Sequence, residues 1–334
     1  MHALVSALDW GFGHTTRSVA VIHSLQTKGY TISIACTLSQ KEFYLQYFPT
    51  VKYYPLPYLN FQYSTYTSLS ILLQFPKLFQ CLKQDRKITK EILLNEPGID
   101  LIVSDNRYGF RHKDIKSVLV CHQLNIILPK ALAWIKPLFN IFYNRLLNKF
   151  SEIWIPDFEF PDDLSRKLSK IPMKIENKCT RIGILSRFQI YTSGEIETET
   201  DIDYLFLISG IEKQRTIFEN KILEYIKKLP PESRYLIVRG LPSDTSESPP
   251  PNCVNHLNDK SFIEVVKRSK TIIARAGYST VMDLVYLKKT AILVPTPGQT
   301  EQEYLAEYLT GKYGFEMVRQ KDLLNIPIPK RNNM

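Results

Sequence analysis

Residues 2–36 constrain the fold more than any other stretch of this chain. HALVSAL (2–8) is short and apolar, DWGFGHTT is a loop holding two glycines, and residues 15–28 have helical spacing closed by Gly29. YTISIAC (30–36) is then a second strand, and a strand–loop–helix–strand start predicts a parallel α/β sheet. The rhythm continues in IDLIVS (99–104), SVLVC (117–121) and EIWI (152–155). A second series starts near residue 204 with YLFLIS, YLIVRG, TIIARA and AILVP, three of them followed by helical stretches. A chain of 334 residues is too long for one ordinary core and suits two domains. The predicted division is 1–180 and 181–334, with the seam between 180 and 203, where GEIETETDID has no apolar period. PSDTSESPPPN (242–252) is expected to be a surface loop, and no repeat of solenoid period is present.

Charge is uneven along this frame. The first 180 residues carry 22 Lys and Arg against 14 Asp and Glu, the rest 21 against 19, so the first half implies an anionic partner. Nucleic acid ranks lowest, since zinc-finger, RNA-binding aromatic and homeodomain signatures are absent. The five cysteines are scattered, odd in number and never in a CxxC pair, as reduced cytoplasmic thiols are. MHALVSALDW lacks the basic-then-apolar order of a signal peptide, and Lys or Pro interrupts every apolar stretch before it reaches membrane-spanning length.

Two stretches are both basic and apolar. Residues 126–150 carry Lys130, Lys136, Arg145 and Lys149 and no acid among aromatic and aliphatic side chains. Residues 69–94 mix Leu69, Ile71, Leu72, Leu73, Phe75, Leu78 and Phe79 with Lys77, Lys83, Arg86, Lys87 and Lys90. That chemistry suits helices lying on an anionic bilayer, and equally a core helix pair with a solvated basic edge.

The segment 271–307 points to ligand chemistry. After the strand Thr271–Ala274, Gly277 allows close backbone approach, and Ser279 and Thr280 fall where a helix begins. A helix start presents free N–H groups and the positive end of the dipole to an anion. Arg275 would add a fixed charge, and Asp283, one turn on, could accept from two ribose hydroxyls. Taken alone, Ser279 or Thr280 is as well explained as an N-cap. AILVP then leads into a Pro-Thr-Pro-Gly loop and a helix opened by Glu301 and Gln302, an acid-amide pair suited to sugar hydroxyls.

This segment resembles the C-terminal donor domain of GT-B-fold glycosyltransferases, above all the bacterial peptidoglycan UDP-N-acetylglucosaminyltransferase family. In that family a Gly-x-x-Thr-x-x-Glu helix start, here Gly277-Tyr278-Ser279-Thr280 with Asp283 replacing Glu, holds diphosphate and ribose. A later Gln-Gln or Asp-Gln pair holds the donor sugar, and Glu301, Gln302 and Glu303 fall there without matching it. The resemblance covers residues 254–315 and the surroundings of residue 14, and is weak from 40 to 200. It implies that the Ile208-Ser209-Gly210 loop faces the phosphates, with Arg215 and Arg239 nearby, and that the Leu257-Asn258-Asp259 loop meets the uracil. For each arginine alone a solvated side chain is the simpler reading.

The N-terminal loop carries the second half of the case. Gly11 and Gly13 fit the first two positions of a dinucleotide fingerprint, but Thr16 replaces its third Gly and no acid ends the next strand, so a Rossmann dehydrogenase is rejected. The loop resembles the Gly-x-Gly-His loop of GT-B enzymes. Its Gly13 would approach donor and acceptor, and His14, at a helix head that disfavours the imidazolium, would be the base. A capping or structural histidine is the competing reading. Asp105, in Ser104-Asp105-Asn106-Arg107, is the first choice to orient or replace His14, and Asp9 the second. His122 would line the acceptor cleft or be a satisfied interior histidine.

The expectation is therefore an α/β chain of two Rossmann-like parallel-sheet domains facing across a cleft (GT-B): an acceptor-binding domain over 1–180 and a nucleotide-sugar donor domain over 181–334. The last residues are expected to pack back on the first domain. The implied activity is inverting transfer of a sugar from a UDP-sugar, UDP-N-acetylglucosamine favoured, to a hydroxyl of a cell-envelope glycan or lipid. The UDP-sugar is a co-substrate and no other cofactor is expected. No DxD-like cluster lies near the donor segment, so no essential metal is expected either. The protein is read as cytoplasmic, peripheral on the inner face of the membrane through 69–94 and 126–150. The rivals are a UDP-sugar 2-epimerase, and a non-catalytic glycan- or lipid-binding relative.

Overall fold

A computed structural model of the chain describes residues 1–9, 11–58, 67–128, 130–191, 200–241 and 250–327. Outside them lie Trp10, residues 192–199 of the expected seam, residues 242–249 of the expected surface loop, and the terminal residues 328–334. The side chains of residues 67–76, with Leu69, Ile71, Leu72, Leu73 and Phe75, and of Leu78, Lys130 and Ala131, also lie outside them. The chain divides into two compact units, Met1–Ile190 and Tyr191–Met334. The division falls ten residues beyond 180, because a short strand at Cys179–Arg181 and a 3-10 turn at Arg187–Ile190 belong to the first unit.

The first unit runs β1 (His2–Ala7), α1 (Phe12–Thr27), β2 (Thr31–Cys36), α2 (Leu38–Tyr44), β3 (Lys52–Pro55), α3 (Thr67–Asn95), β4 (Leu101–Asp105), β5 (Lys116–Val120), α4 (Lys136–Leu147), β6 (Glu152–Ile155) and β7 (Cys179–Arg181). Among the described residues its sheet has seven strands, all parallel, in the order β3-β2-β1-β4-β5-β6-β7. The central strands β1 and β4 are buried over almost their whole length, which is why they read as continuous apolar runs. Leu4, Ile92, Ile99, Ile102 and Phe110 form one core between the sheet and α3. Leu119, Tyr143, Leu147, Phe150 and Ile153 form another beneath α4. Each such buried side chain contributes about 1.5–3 kcal/mol relative to solvent.

The second unit runs β8 (Ile202–Leu207), α5 (Gln214–Ile226), β9 (Tyr235–Val238), β10 (Cys253–Val254), α6 (Asp259–Arg268), β11 (Ser269–Ala274), α7 (Tyr278–Tyr286), β12 (Ala291–Leu293), α8 (Thr300–Leu309) and β13 (Phe315–Met317). Its six described strands are parallel, in the order β10-β9-β8-β11-β12-β13. Phe206, Phe218, Ile222, Tyr225, Ile273 and Leu323 are its core. In each unit the strand order reverses once, between β1 and β4 and between β8 and β11. A doubly wound sheet leaves a crevice at that point, beyond the carboxyl ends of the strands.

Candidate functional site

In the first unit the loop after β1 and the end of β4 meet at the reversal. Ala7 is in register with Asp105, and the Leu8 N–H donates to the Asp105 carbonyl at 2.9 Å. Helix α1 is capped by Gly11 and begins at Phe12, three residues earlier than the sequence suggests, so His14 stands in its first turn. His14 Nδ1 donates to Asp105 Oδ1 at 2.9 Å. Arg17, one turn on along the same face, donates from Nε to Asp105 Oδ2 at 2.5 Å and from Nη2 to Oδ1. Its Nη1 donates to His122 Nδ1 at 3.2 Å. Arg17, Asp105 and His122 are buried, whereas His14 remains 18% exposed.

The electrostatics assign roles within this group. Burial pushes the Asp105 carboxyl up, but the charge of Arg17, and after it that of His14, outweighs burial and holds it at about 2. A carboxylate so acidic is a poor proton acceptor at neutral pH and suits a hydrogen-bond partner for His14 Nδ1. With Nδ1 engaged by Asp105, Nε2 is the ring's other nitrogen, and among the described residues it has no partner. His122 is the satisfied interior histidine, held by Arg17. Asp9 is buried and does not pair with His14.

In the second unit three loops flank the β8–β11 crevice: Ser209-Gly210 after β8, the α7 start after β11, and the Val294–Gln299 loop after β12. Gly277 is the N-cap of α7, and no side chain caps this helix. Ser279 and Thr280 are thus not N-caps but lie inside the first turn, on the face shared with Asp283. Gly277 has an ordinary φ of −75°, and a Cβ there would meet only Thr280 Oγ1, at 3.8 Å. Neither backbone nor packing demands that glycine; its effect is to keep the approach to the helix start open. Gly240 is the contrasting case, with φ +67° and a hypothetical Cβ 2.4 Å from the Ile208 carbonyl.

Several expected ligand groups are engaged elsewhere. Arg275 is 1% exposed and donates to the carbonyls of Val294, Pro295 and Gln214 and to Gln320 Oε1, while stacking 4.0 Å over Phe218. It clamps the loops, and burial pushes its guanidinium down to about 10. Arg215 is buried between Glu212 and Glu219, at 2.5 and 2.7 Å. Arg239 binds the same Glu219 at 2.5 Å. Gln302 Oε1 accepts from the Thr296 N–H at 2.9 Å, which closes the post-β12 loop. Asn258 Oδ1 accepts from the Ser261 N–H at 3.0 Å as the N-cap of α6. Tyr278 is buried, so only its backbone can face a ligand. Glu301 and Asp283 stay partly exposed.

Sequence reasoning missed Arg17, whose one signal is its spacing of three from His14. It also missed Gln40, which donates from α2 to Thr15 Oγ1 at 3.0 Å and to the Ala7 carbonyl at 3.2 Å, bracing the loop. In the basic apolar stretches Tyr143 and Leu147 of α4 are core, while Trp134, Leu138 and Phe79 are 78%, 72% and 47% exposed. Among the described residues no helix is long and apolar enough to cross a membrane, and no three His, Cys, Asp or Glu side chains cluster as metal ligands would.

Comparison with known proteins agrees with this anatomy. Residues 258–328, which include α6, α7 and α8, match the glycosyltransferase family 28 C-terminal domain. A Methanosarcina acetivorans protein described as an uncharacterized glycosyltransferase is 26% identical over 236 residues, covering 67% of this chain and 59% of that protein. The chain spans between 42% and 61% of the lengths of the curated relatives it matches. The glycotransferase of kitacinnamycin superposes over 96% of this chain and 86% of its own, with a TM-score of 0.64 at 15% identity. MurG of Acinetobacter baumannii superposes over 97% and 88%, at 0.55 and 14%. Arabidopsis thaliana UGT89C1, complexed with UDP-L-rhamnose, superposes over 97% and 88%, at 0.60 and 12%. At such identities these likenesses establish the fold. The two Rossmann-like parallel-sheet units thus share the GT-B fold of these structures, and residues 258–328 of the second match a glycosyltransferase family 28 C-terminal domain.

Proposed function

We propose that the chain transfers a sugar from a UDP-sugar, UDP-N-acetylglucosamine first among them, to an acceptor hydroxyl with inversion at the anomeric carbon. The observation that carries the reading is the His14 ring held through Nδ1 by an ionised Asp105, with Nε2 without a partner among the described residues. Nε2 takes the acceptor proton, the freed oxygen forms the new glycosidic bond, and the bond to the diphosphate breaks. The negative charge gathering on UDP is met by the N–H groups at the start of α7 with the Ser279 and Thr280 hydroxyls beside them, and Asp283 accepts from the ribose. UDP-L-rhamnose in the related fold supports a nucleotide-sugar donor here. Because the leaving charge is met by this helix start, transfer is expected to need no divalent cation and to continue in EDTA. The exposed Trp134, Leu138 and Phe79 among basic residues support an acceptor presented at an anionic membrane face.

The test is product analysis by NMR on the full chain with UDP-N-acetylglucosamine and a panel of other UDP-sugars, with and without glycan and lipid hydroxyl acceptors. Transfer predicts UDP and an inverted glycoside that appear only with acceptor. Free UDP with a rearranged sugar in the absence of acceptor makes the chain an epimerase. Calorimetry that finds no binding of any UDP-sugar sinks the donor assignment.

A further inference from the structure

Three cations of the first unit have no part in that reaction. Arg86 lies on α3, Arg111 in the 106–115 connection between β4 and β5, and Lys149 just past the end of α4. Phe79 and Phe142 join α3 to α4 with ring centroids 5.3 Å apart. Arg86 lies seven residues beyond Phe79, two turns or roughly 10 Å on along the same side of α3, and Lys149 seven beyond Phe142, two past the end of α4. Gly109 lets the 106–115 connection press onto α3: a Cβ there would lie 2.6 Å from the Leu82 carbonyl and 2.7 Å from Asp85 Cβ. Arg111 follows two residues after that contact, and Arg86 directly after Asp85. The three groups feel one another, since burial and then Arg86 push the Arg111 guanidinium down, and burial, Arg86 and Arg111 do the same to Lys149.

Among the described residues no carboxylate offsets this repulsion. The Nε atoms of Arg86 and Arg111 are buried without a hydrogen-bond partner. Among the described residues no carboxylate pairs with any of the three; the nearest in sequence, Asp85, belongs to Arg107 at 2.7 Å. The sequence from 43 to 84 and from 115 to 151 contains no acid at all. A buried Nε–H without an acceptor is costly, and the half-buried forks of Arg86 and Arg111 with the ammonium of Lys149 match the oxygens of a tetrahedral oxyanion.

We propose that Arg86, Arg111 and Lys149 form a binding site for a phosphate oxyanion, separate from the diphosphate seat at α7 and independent of the transfer reading. The phosphate is either free or the headgroup of a phospholipid, and the two sources are separated by experiment. Full-length protein is melted in chloride and in about 20 mM inorganic phosphate at equal ionic strength, and floated with phosphatidylglycerol vesicles. A phosphate source in solution predicts a rise of about 3 °C or more that the Arg86→Gln/Arg111→Gln double variant loses. In chloride alone that variant melts no lower than the parent, because its charges no longer repel. A headgroup source predicts no rise with phosphate but vesicle binding that the double variant abolishes. Should the double variant fail to fold, Lys149→Gln, at an exposed position, gives the same comparisons. A phosphate rise or vesicle binding undiminished in the variants overturns the site, as does the absence of both in the parent.

Discussion

At the first unit's strand reversal, ionisable side chains are bound to one another: Asp105 accepts from His14 and Arg17, and Arg17 also holds His122. At the second unit's reversal stands a helix start, with two small hydroxyls in its first turn and a carboxylate one turn on. The charged residues there, Arg275, Arg215 and Arg239, are turned away into internal pairs and carbonyl contacts. In the proposed transfer the same sheet topology would support two kinds of chemistry. Prearranged charge would serve proton transfer, because a base must be held in one tautomer and one orientation before substrate arrives. Backbone dipole would serve a diphosphate, because N–H groups give no fixed counter-charge that would need its own partner when the ligand leaves.

The contrast breaks most readily at His14. His14→Ala is expected to lower transfer by about 10²–10⁴-fold while UDP binding by calorimetry is unchanged. An equal loss of binding would place the histidine among the donor contacts instead. Asp105→Asn should act on the fold as well as the rate. It leaves the buried Arg17 guanidinium without its counter-charge, and removing one partner of such a pair costs about 3–5 kcal/mol in urea unfolding. A loss below about 1 kcal/mol would mean that Arg17 finds water or another acceptor. The same pair sets an acid limit. The folded-state carboxyl sits at about 2 against an ordinary 3.8, so its stabilisation is complete above pH 3.8 and disappears as pH falls toward 2. Melting curves through that window should be steeper for the parent than for the Asn variant.

Arg275 tests the second unit in the opposite sense. As a clamp on three carbonyls and Gln320, it should register in stability first: Arg275→Ala is expected to cost at least about 2 kcal/mol by leaving buried acceptors bare. A variant that melts normally yet binds UDP poorly would restore Arg275 as a ligand group.

How far the sequence could be read follows from this same division between local and distant partners. The interior strands were legible because both their faces are buried and their residues are apolar without a break. The strands without a sequence signal, KYYP (β3), CTR (β7), CV (β10) and FEM (β13), are the outermost strands of their sheets. An edge strand is short and half solvated, so composition does not mark it. The Gly277–Thr280 helix start is a local pattern, which a sequence displays directly. The Arg17–Asp105 pair depends on β1 lying beside β4, which joins residues 88 apart. The burial of Arg275 is invisible for another reason: three of its partners are main-chain carbonyls, which every residue type offers.

The finest prediction concerns Gly277. Its φ is open to any residue, and a methyl group there would meet only Thr280 Oγ1 at 3.8 Å, so Gly277→Ala has room in the free protein. As an N-cap change it should alter stability by less than about 1 kcal/mol. A bound diphosphate, however, would have to occupy the space that the methyl enters. Donor affinity by calorimetry should therefore fall about tenfold, or about 1.4 kcal/mol, with melting nearly unmoved. Unchanged affinity would mean that the diphosphate does not sit over α7. The second crevice would then lose the feature that sets it apart from the first, since the rest of its charge is already committed to internal partners.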